Sequence, residues 1–521
     1  MKTSNYILIL IVALFLFSSH NYSQKKPEKS DKEKKEKSYS DIITDKAVTD
    51  NGLFDVHKID EKYYYEIHDS LLDRDMLMVT RIAKMAKEIP LGAHKLSEQV
   101  LSWHKFDNNI LLKELSYSKF ASDSLPIKEA VSNSNFEPII SSFKIEVKNK
   151  EKNTYVIDVT NLYKSDVKSF GYPQSARKRN KISSLDTKLS FIESIRSFPL
   201  NIEAKHIKTY KSSDAKNGQI SMLLNNSMIL LPKKPMKRRY YDERVGWFTT
   251  SQTDYGIDNQ EAETVRYLDR WRLEVKDEDI EKFKNGELVE PKKPIVYYID
   301  RATPKKWRKY LKQGIEDWNA AFEEAGFKNA VICKDPPTAE EDPDWSPEDV
   351  RHSVVRYLAS ATLNANGPHV SDPRSGEIIE SDINWYHNVM KLLRNWYFVQ
   401  TAAVNPEARG VEFKNEVMGE LIRFVSSHEF GHTIGLPHNM GSSSAYPVDS
   451  LRSATFTKKY GTAPSIMDYA RFNYVAQPED KGVALMPSDW ETPNVGIYDR
   501  YSVMWGYKPI LDVSEEEEKE I

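Results

Sequence analysis

A single cysteine, Cys333, in 521 residues removes several chemistries at once. An intramolecular disulfide framework is excluded, as is every Cys-rich zinc or iron–sulfur site. Stability has to come from packed cores or bound ions. Long apolar runs are also missing. The one extended run, Ile7 to Phe17, is eleven residues, whereas a bilayer-crossing helix needs about 20. No stable membrane span is expected. Neither charge sign is in excess: Lys+Arg 74 against Asp+Glu 77 leaves a net charge of −3, so nucleic acid is not an expected partner. No glycine-rich nucleotide loop follows a strand pattern, and no repeat recurs at a fixed period. What is present, 40% hydrophobic and 29% charged residues, is the composition of a folded protein. The length suits roughly three or four units of about 150 residues.

Lys2 precedes the Ile7–Phe17 run, and small and polar residues, SSHNYSQ, follow it. Residues 1–23 are therefore expected to be a cleavable export signal, giving a secreted, periplasmic or cell-surface protein that starts near Gln24. No cysteine lies near the cleavage region, which excludes a lipoprotein anchor. Residues 24–39 read as a charged linker, because KKPEKSDKEKKEK has nothing to bury.

From Leu53 onward, short alternating runs such as KYYYEIHDSLL and DMLMVTRIAK read as strands. VLSWHKF and ILLKELSY flank Asp107-Asn108-Asn109 as one hairpin, and FKIEVKNKEKNTYVIDV reads as another. Residues 40–90 are expected to form an N-terminal β module and 91–292 a β-rich domain of unknown role. The pattern changes after the turn-rich Asn285–Pro294. IVYYID reads as a buried strand. Thr303 is the expected N-cap before Pro304, and Trp307, Leu311, Ile315, Trp318, Phe322 and Ala325 form the apolar stripe of a helix ended by Gly326. AVICKD, HSVVRYLAS, HVSD and EIIESDINW follow as strands, the last two joined by the turn at Pro373-Arg374-Ser375-Gly376. The expected class is α+β: a mixed sheet with an active-site helix over 293–511, behind β-rich N-terminal domains.

The helical run from about Asn415 to Ile434 contains HEFGHTIGLPHN. Histidines at i and i+4 share a helix face, so His428 and His432 can present nitrogens to one ion. Glu429, one residue further round, stands where a base for water belongs. His438 lies six residues after His432, about 240° round an unbroken helix. The helix therefore has to stop. Gly435 can adopt the positive φ that ends it, and Pro437 prevents its continuation, so the chain can double back to deliver His438 as third ligand. Three protein ligands leave one tetrahedral position for water, as in catalytic rather than closed structural sites.

HEFGHTIGLPH resembles the HExxHxxGxxH signature of the metzincin zinc peptidases, and SIMDYA, residues 465–470, resembles their Met-turn. The resemblance implies a zinc cofactor, Met467 as the hydrophobic floor of the site, and protein or peptide substrates. It also implies that Tyr469 is either a fifth ligand at rest or a hydrogen-bond donor to the developing oxyanion. Asn439 is not the usual marker of the best-known metzincin groups. With GELVEPKKPIVYYIDRATPKKWRKY, DPRSGEI and YDRYSVMWGY, the chain is more similar to a bacterial family of secreted met-zincins whose N-terminal domains have no known function. That likeness implies a longer C-terminus: DVSEEEEKEI opens like a helix, with Ser514 as N-cap and Glu517 three residues on, so residues 512–521 are expected to begin a truncated segment.

The expected function is a secreted zinc endopeptidase with Glu429 as general base, an extended peptide lying along an exposed strand edge for which EIIESDINW, residues 377–385, is the candidate. The competing reading is a noncatalytic surface-binding protein on a relic metzincin fold, against which the retained Glu429 argues. His352, His369 and His387 lack ligand spacing and are expected to be ordinary side chains rather than a second metal site. The N-terminal half, as a prodomain, a recruiting module or a scaffold, lacks the cysteine that a cysteine switch would need.

Overall fold

A computed structural model describes residues 37–85, 95–213, 215–486 and 495–520. The expected signal peptide and all but the end of the charged linker lie outside these residues. Among the described residues no helix is long and apolar enough to cross a membrane.

The first half is built on a twelve-stranded sheet with every neighbouring pair antiparallel. Its spine runs Lys62–His68, Thr154–Asp158, Ile139–Asn149, Asn109–Leu115, Lys95–Phe106, Met76–Met85, Gln219–Leu230 and Asn201–Ser212. Both expected hairpins are there. Phe106 pairs with Asn109 across a turn in which Asp107 has φ +49, and Ile139–Asn149 pairs with Thr154–Asp158. Strands from either side of residue 90 share this sheet. It rolls until its ends meet: Leu53 N–H donates to the Phe198 carbonyl at 2.8 Å, and the Ser197 hydroxyl donates to the Phe54 carbonyl at 2.7 Å. The roll encloses Phe54, Tyr65, Trp103, Tyr163, Phe170 and Met228. Curling in this way turns one face of an antiparallel sheet into a core.

The second half carries a five-stranded sheet ordered Val331–Lys334, Ile295–Ile299, Ser353–Leu358, Ile383–Tyr386, Ala365–Asn366. The first four are parallel and Ala365–Asn366 is antiparallel. The class is α+β. EIIESDINW is two strands rather than one. Ile378–Ser381 pairs with His369–Ser371, and Ile383–Tyr386 lies inside the sheet, so the edge is Ala365–Asn366. The break falls at Asp382, whose carboxylate turns aside to accept from Arg356 Nε and Val354 N–H.

The helix expected from Thr303 to Ala325 is two helices, Lys305–Glu316 and Asn319–Glu324. Pro304 takes the N-cap place with extended ψ, so the Thr303 hydroxyl caps nothing and is buried without a partner. The interruption has its own anchors: Asp317 takes the Arg423 guanidinium fork, and the Trp318 indole donates to the Ser427 carbonyl at 2.8 Å. Lys305–Glu316 lies against helix Asn415–Thr433, which carries His428 and His432, so closely that a Cβ on Gly314 would stand 2.4 Å from the Arg423 carbonyl oxygen. The core around these helices includes Trp247, Leu268, Leu273, Val275 and Val289 from before residue 293. A shared polar seam joins the halves: Arg374 reaches Asp75 and the Pro232 carbonyl, and Arg81 pairs with Glu380 at 2.9 Å. At the C-terminal end Ser514 and Glu517 form the expected reciprocal cap of helix Glu515–Glu520.

In the first half, buried Glu66 accepts from His57 Nε2 at 3.0 Å, Thr154 Oγ1 at 2.5 Å and Tyr39 Oη at 2.6 Å. Burial alone would raise its pKa, but these bonds outweigh burial and hold it at about 2 rather than 4.5. A carboxyl whose folded pKa is depressed contributes stability above the unfolded value and loses it as pH falls through the folded one. The linkage is bounded at about 3 kcal/mol. Denaturant midpoints at about pH 7 and about pH 3 are expected to fall for the native chain, and Glu66→Gln is expected to narrow that difference.

Candidate metal centre

Helix Asn415–Thr433 buries Leu421, Ile422, Phe424, Val425 and Phe430 in the core. Its i, i+4 spacing sets the His428 and His432 ring centroids 4.9 Å apart. The helix ends at Thr433, and Gly435 takes φ +107. Glycine is required there for its dihedral and for space. A Cβ would stand 2.2 Å from the Asp269 carbonyl oxygen and 2.5 Å from the Trp247 indole nitrogen. Leu436 N–H returns to the Gly431 carbonyl at 3.0 Å and closes the turn. The chain reverses, and His438 arrives with its centroid 5.2 Å from His428 and 4.7 Å from His432.

Main-chain carbonyls aim two of the rings. His428 Nδ1 lies 2.7 Å from the Ile466 carbonyl, and His432 Nδ1 lies 2.7 Å from the Leu436 carbonyl. A carbonyl can only accept, so each Nδ1 carries the proton and each Nε2 keeps a free lone pair. His432 Nε2 and His438 Nε2 stand 3.1 Å apart, and ligand atoms of all three rings lie within 4.8 Å of one another. Burial holds the His428 imidazole at about 3 and the His432 imidazole at about 4, and it lowers His438 as well. Neutral ring nitrogens facing one point form a donor set that fits a divalent transition metal.

Beneath the helix lies the turn around Met467. The side chain is 1% exposed, and its sulfur lies so close to the helix that a Cβ on Gly431 would be 2.3 Å away. Asp499, buried in helix Ile497–Tyr507, accepts from Ser465 Oγ at 2.5 Å and Ile466 N–H at 2.7 Å. Asn439 N–H donates to the Met467 carbonyl at 3.0 Å, and Asp468 accepts from Ser442 and Ser443. These bonds stitch the turn to the loop that carries the third histidine.

Glu429 is 7% exposed. Burial pushes its carboxyl up to about 8, against the pull of a hydrogen bond from the Gly367 backbone N–H. Gly367 follows the edge strand, and a Cβ there would meet the Glu429 carbonyl oxygen at 2.3 Å. Tyr469 is 44% exposed, with its ring 4.5 Å from His438 and 5.6 Å from His428. The structure thus brings His428, Glu429, His432, Gly435, His438, Met467 and Tyr469 to one place.

Of the remaining histidines in this half, His352 stacks on Trp345 and His387 bonds to Tyr357 Oη. His369 pairs with buried Asp269 at 3.1 Å, beside Phe248, whose ring is 6.1 Å from His432. Sequence reasoning did not find Gly367, Trp247, Phe248 or Asp269 here. Their roles come from long-range contacts, and no local spacing marks them. A cavity of about 1510 Å³ lined by Arg239, Phe283 and Trp505 lies elsewhere. Among the described residues, the three histidines are the one group of His, Cys, Asp or Glu side chains gathered to hold an ion.

Residues 410–521 match the family model described as Met-zincin. Residues 93–276 and 36–85 match models described as domains of unknown function, DUF5117 and DUF5118. No curated protein and no solved structure matches the chain. The Met-zincin match spans both HEFGHTIGLPH and SIMDYA, the two motifs on which the metzincin resemblance rests.

Metal analysis of the purified chain is expected to find about one divalent transition metal ion per chain. His438→Ala is expected to weaken its retention roughly a hundredfold or more. Gly435→Ala is expected to lose metal as well, and to cost about 1–3 kcal/mol of stability in denaturant unfolding.

Proposed function

We propose that the chain is an exported zinc-dependent endopeptidase that hydrolyses peptide bonds within protein substrates. The observation that carries this reading is the convergence of three neutral imidazoles, open on one side, next to a buried and hydrogen-bonded glutamate. His428, His432 and His438 would hold a zinc ion, which would supply Lewis acidity toward a substrate carbonyl and a water.

The chain's own groups do the rest. Glu429 is held by Gly367 N–H and accepts a proton from the attacking water, then delivers it to the leaving amine. Burial that raises the carboxyl pKa makes it the stronger base for that transfer. The Tyr469 hydroxyl, carried beside His438, donates to the oxyanion as charge develops. Met467 keeps the floor of the site dry and the helix turn rigid. An extended peptide lies along the outer side of Ala365–Asn366, which leads directly into Gly367 and so sets the scissile bond near Glu429.

The test is cleavage of casein or a peptide library by the native chain and by Glu429→Gln at equal zinc content. The variant is expected to lose roughly 10²–10⁴ in kcat/KM. Equal cleavage by both proteins overturns the proposal, and no cleavage by either favours the noncatalytic reading. Tyr469→Phe is expected to lower kcat roughly a hundredfold while leaving zinc content unchanged.

A further inference from the structure

Two residues beyond Tyr469, the backbone at Arg471 takes φ +60, a left-handed conformation that an arginine adopts only when its surroundings hold it there. The hold is aromatic. The guanidinium carbon sits 3.6 Å from the centroid of the Trp396 ring on helix Val389–Thr401, and 5.1 Å from the Tyr469 ring. Several other arginines of this half are tied to carboxylates, as Arg356 is to Asp382, Arg423 to Asp317 and Arg452 to Asp480, and Arg301, Arg394 and Arg409 bond to main-chain carbonyls. Arg471 has no ion pair or hydrogen bond to any described residue, and its Nε is fully buried with no partner. Its charge nonetheless reaches the metal centre, where it acts on His428, and burial lowers its own pKa.

A guanidinium clamped flat on an indole keeps its cation and its planar fork, and loses the freedom to swing toward water. Such a group is set to receive a carboxylate in two parallel hydrogen bonds. Among the described residues, the neighbouring groups do not supply one. Tyr469 and Trp396 are neutral, and Glu429 is engaged by Gly367.

We propose that Arg471 is a specificity-determining residue that reads a carboxylate of the substrate next to the scissile bond. This rests on the peptidase reading above. The carboxylate comes from an Asp or Glu side chain or from a peptide C-terminus. The first source makes the enzyme selective for acidic sites within chains, and the second directs it to chain ends.

The experiment uses the zinc-loaded full chain and peptides that differ only in Glu, Gln or Lys beside the cleaved bond, each with a free or an amidated C-terminus. The native chain is expected to favour Glu over Gln by roughly tenfold or more in kcat/KM. Arg471→Gln is expected to bring that ratio to about one, Arg471→Lys to keep part of it, and Arg471→Glu to favour Lys. A preference for free over amidated termini, lost in Arg471→Gln, assigns the carboxylate to the chain end.

Binding provides a second readout. Fluorescence anisotropy of the same peptides on the Glu429→Gln protein is expected to show the Glu preference and its loss when Arg471→Gln is added. If Arg471 only braces Tyr469, Arg471→Gln lowers rates and stability for every peptide but keeps the Glu/Gln ratio of the native chain, and the proposal is overturned. It is equally overturned if the native chain cleaves all peptides alike. If no peptide is cleaved by the native chain, the peptidase reading fails and this proposal fails with it.

Discussion

The last turn of an α-helix leaves carbonyls without partners, and the whole metal centre depends on where they find donors. In this chain the helix ends at Thr433, and each carbonyl from Thr433 through the reversal to Leu436 accepts a hydrogen bond, three of the four from other segments. The Trp271 indole donates to Thr433, Tyr507 Oη to Ile434, Phe248 N–H to Gly435 and His432 Nδ1 to Leu436. The last of these is also the bond that turns His432 toward the ion site. A reversal held at four successive carbonyls cannot fray as an ordinary helix end does, so His438 is delivered to one position. The orientation of the imidazoles and the end of the helix are one structural event.

A second set of bonds acts from below. The Ile466 carbonyl that aims His428 is fixed by the buried Asp499 carboxylate, and Asp468 ties the same turn to the loop after His438. Met467 then fills the space under Gly431, where no larger residue fits. The helix is gripped from its other side by Lys305–Glu316 at Gly314. Close-packed backbones on both sides leave the helix no room to slide, and metal-ligand geometry tolerates errors of only a few tenths of an ångström.

The triad was legible in the sequence because its signals are local: two histidines at helical spacing, then a glycine and a proline that end the helix. The strands of the first half were legible for a similar reason, since alternation and hairpin turns act over a few residues. What could not be read depends on separation in the chain. Nothing near Trp247 or Asp269 marks them as neighbours of Gly435, more than 160 residues later. The division of EIIESDINW at Asp382 depends on Arg356, and the break in the helix at Asp317 depends on Arg423, each partner lying on another element. Apolar spacing continued smoothly through both places, so a pattern of period two or 3.6 had no reason to stop.

Two of the four donors at the reversal, Phe248 and Trp271, belong to the stretch that matches DUF5117 rather than Met-zincin. The matched families are therefore not separable at their boundary. The upstream one furnishes two of the donors that hold the turn of the downstream one. Removal of everything before the first strand of the second sheet would take Phe248 and Trp271 away from the turn that carries His438.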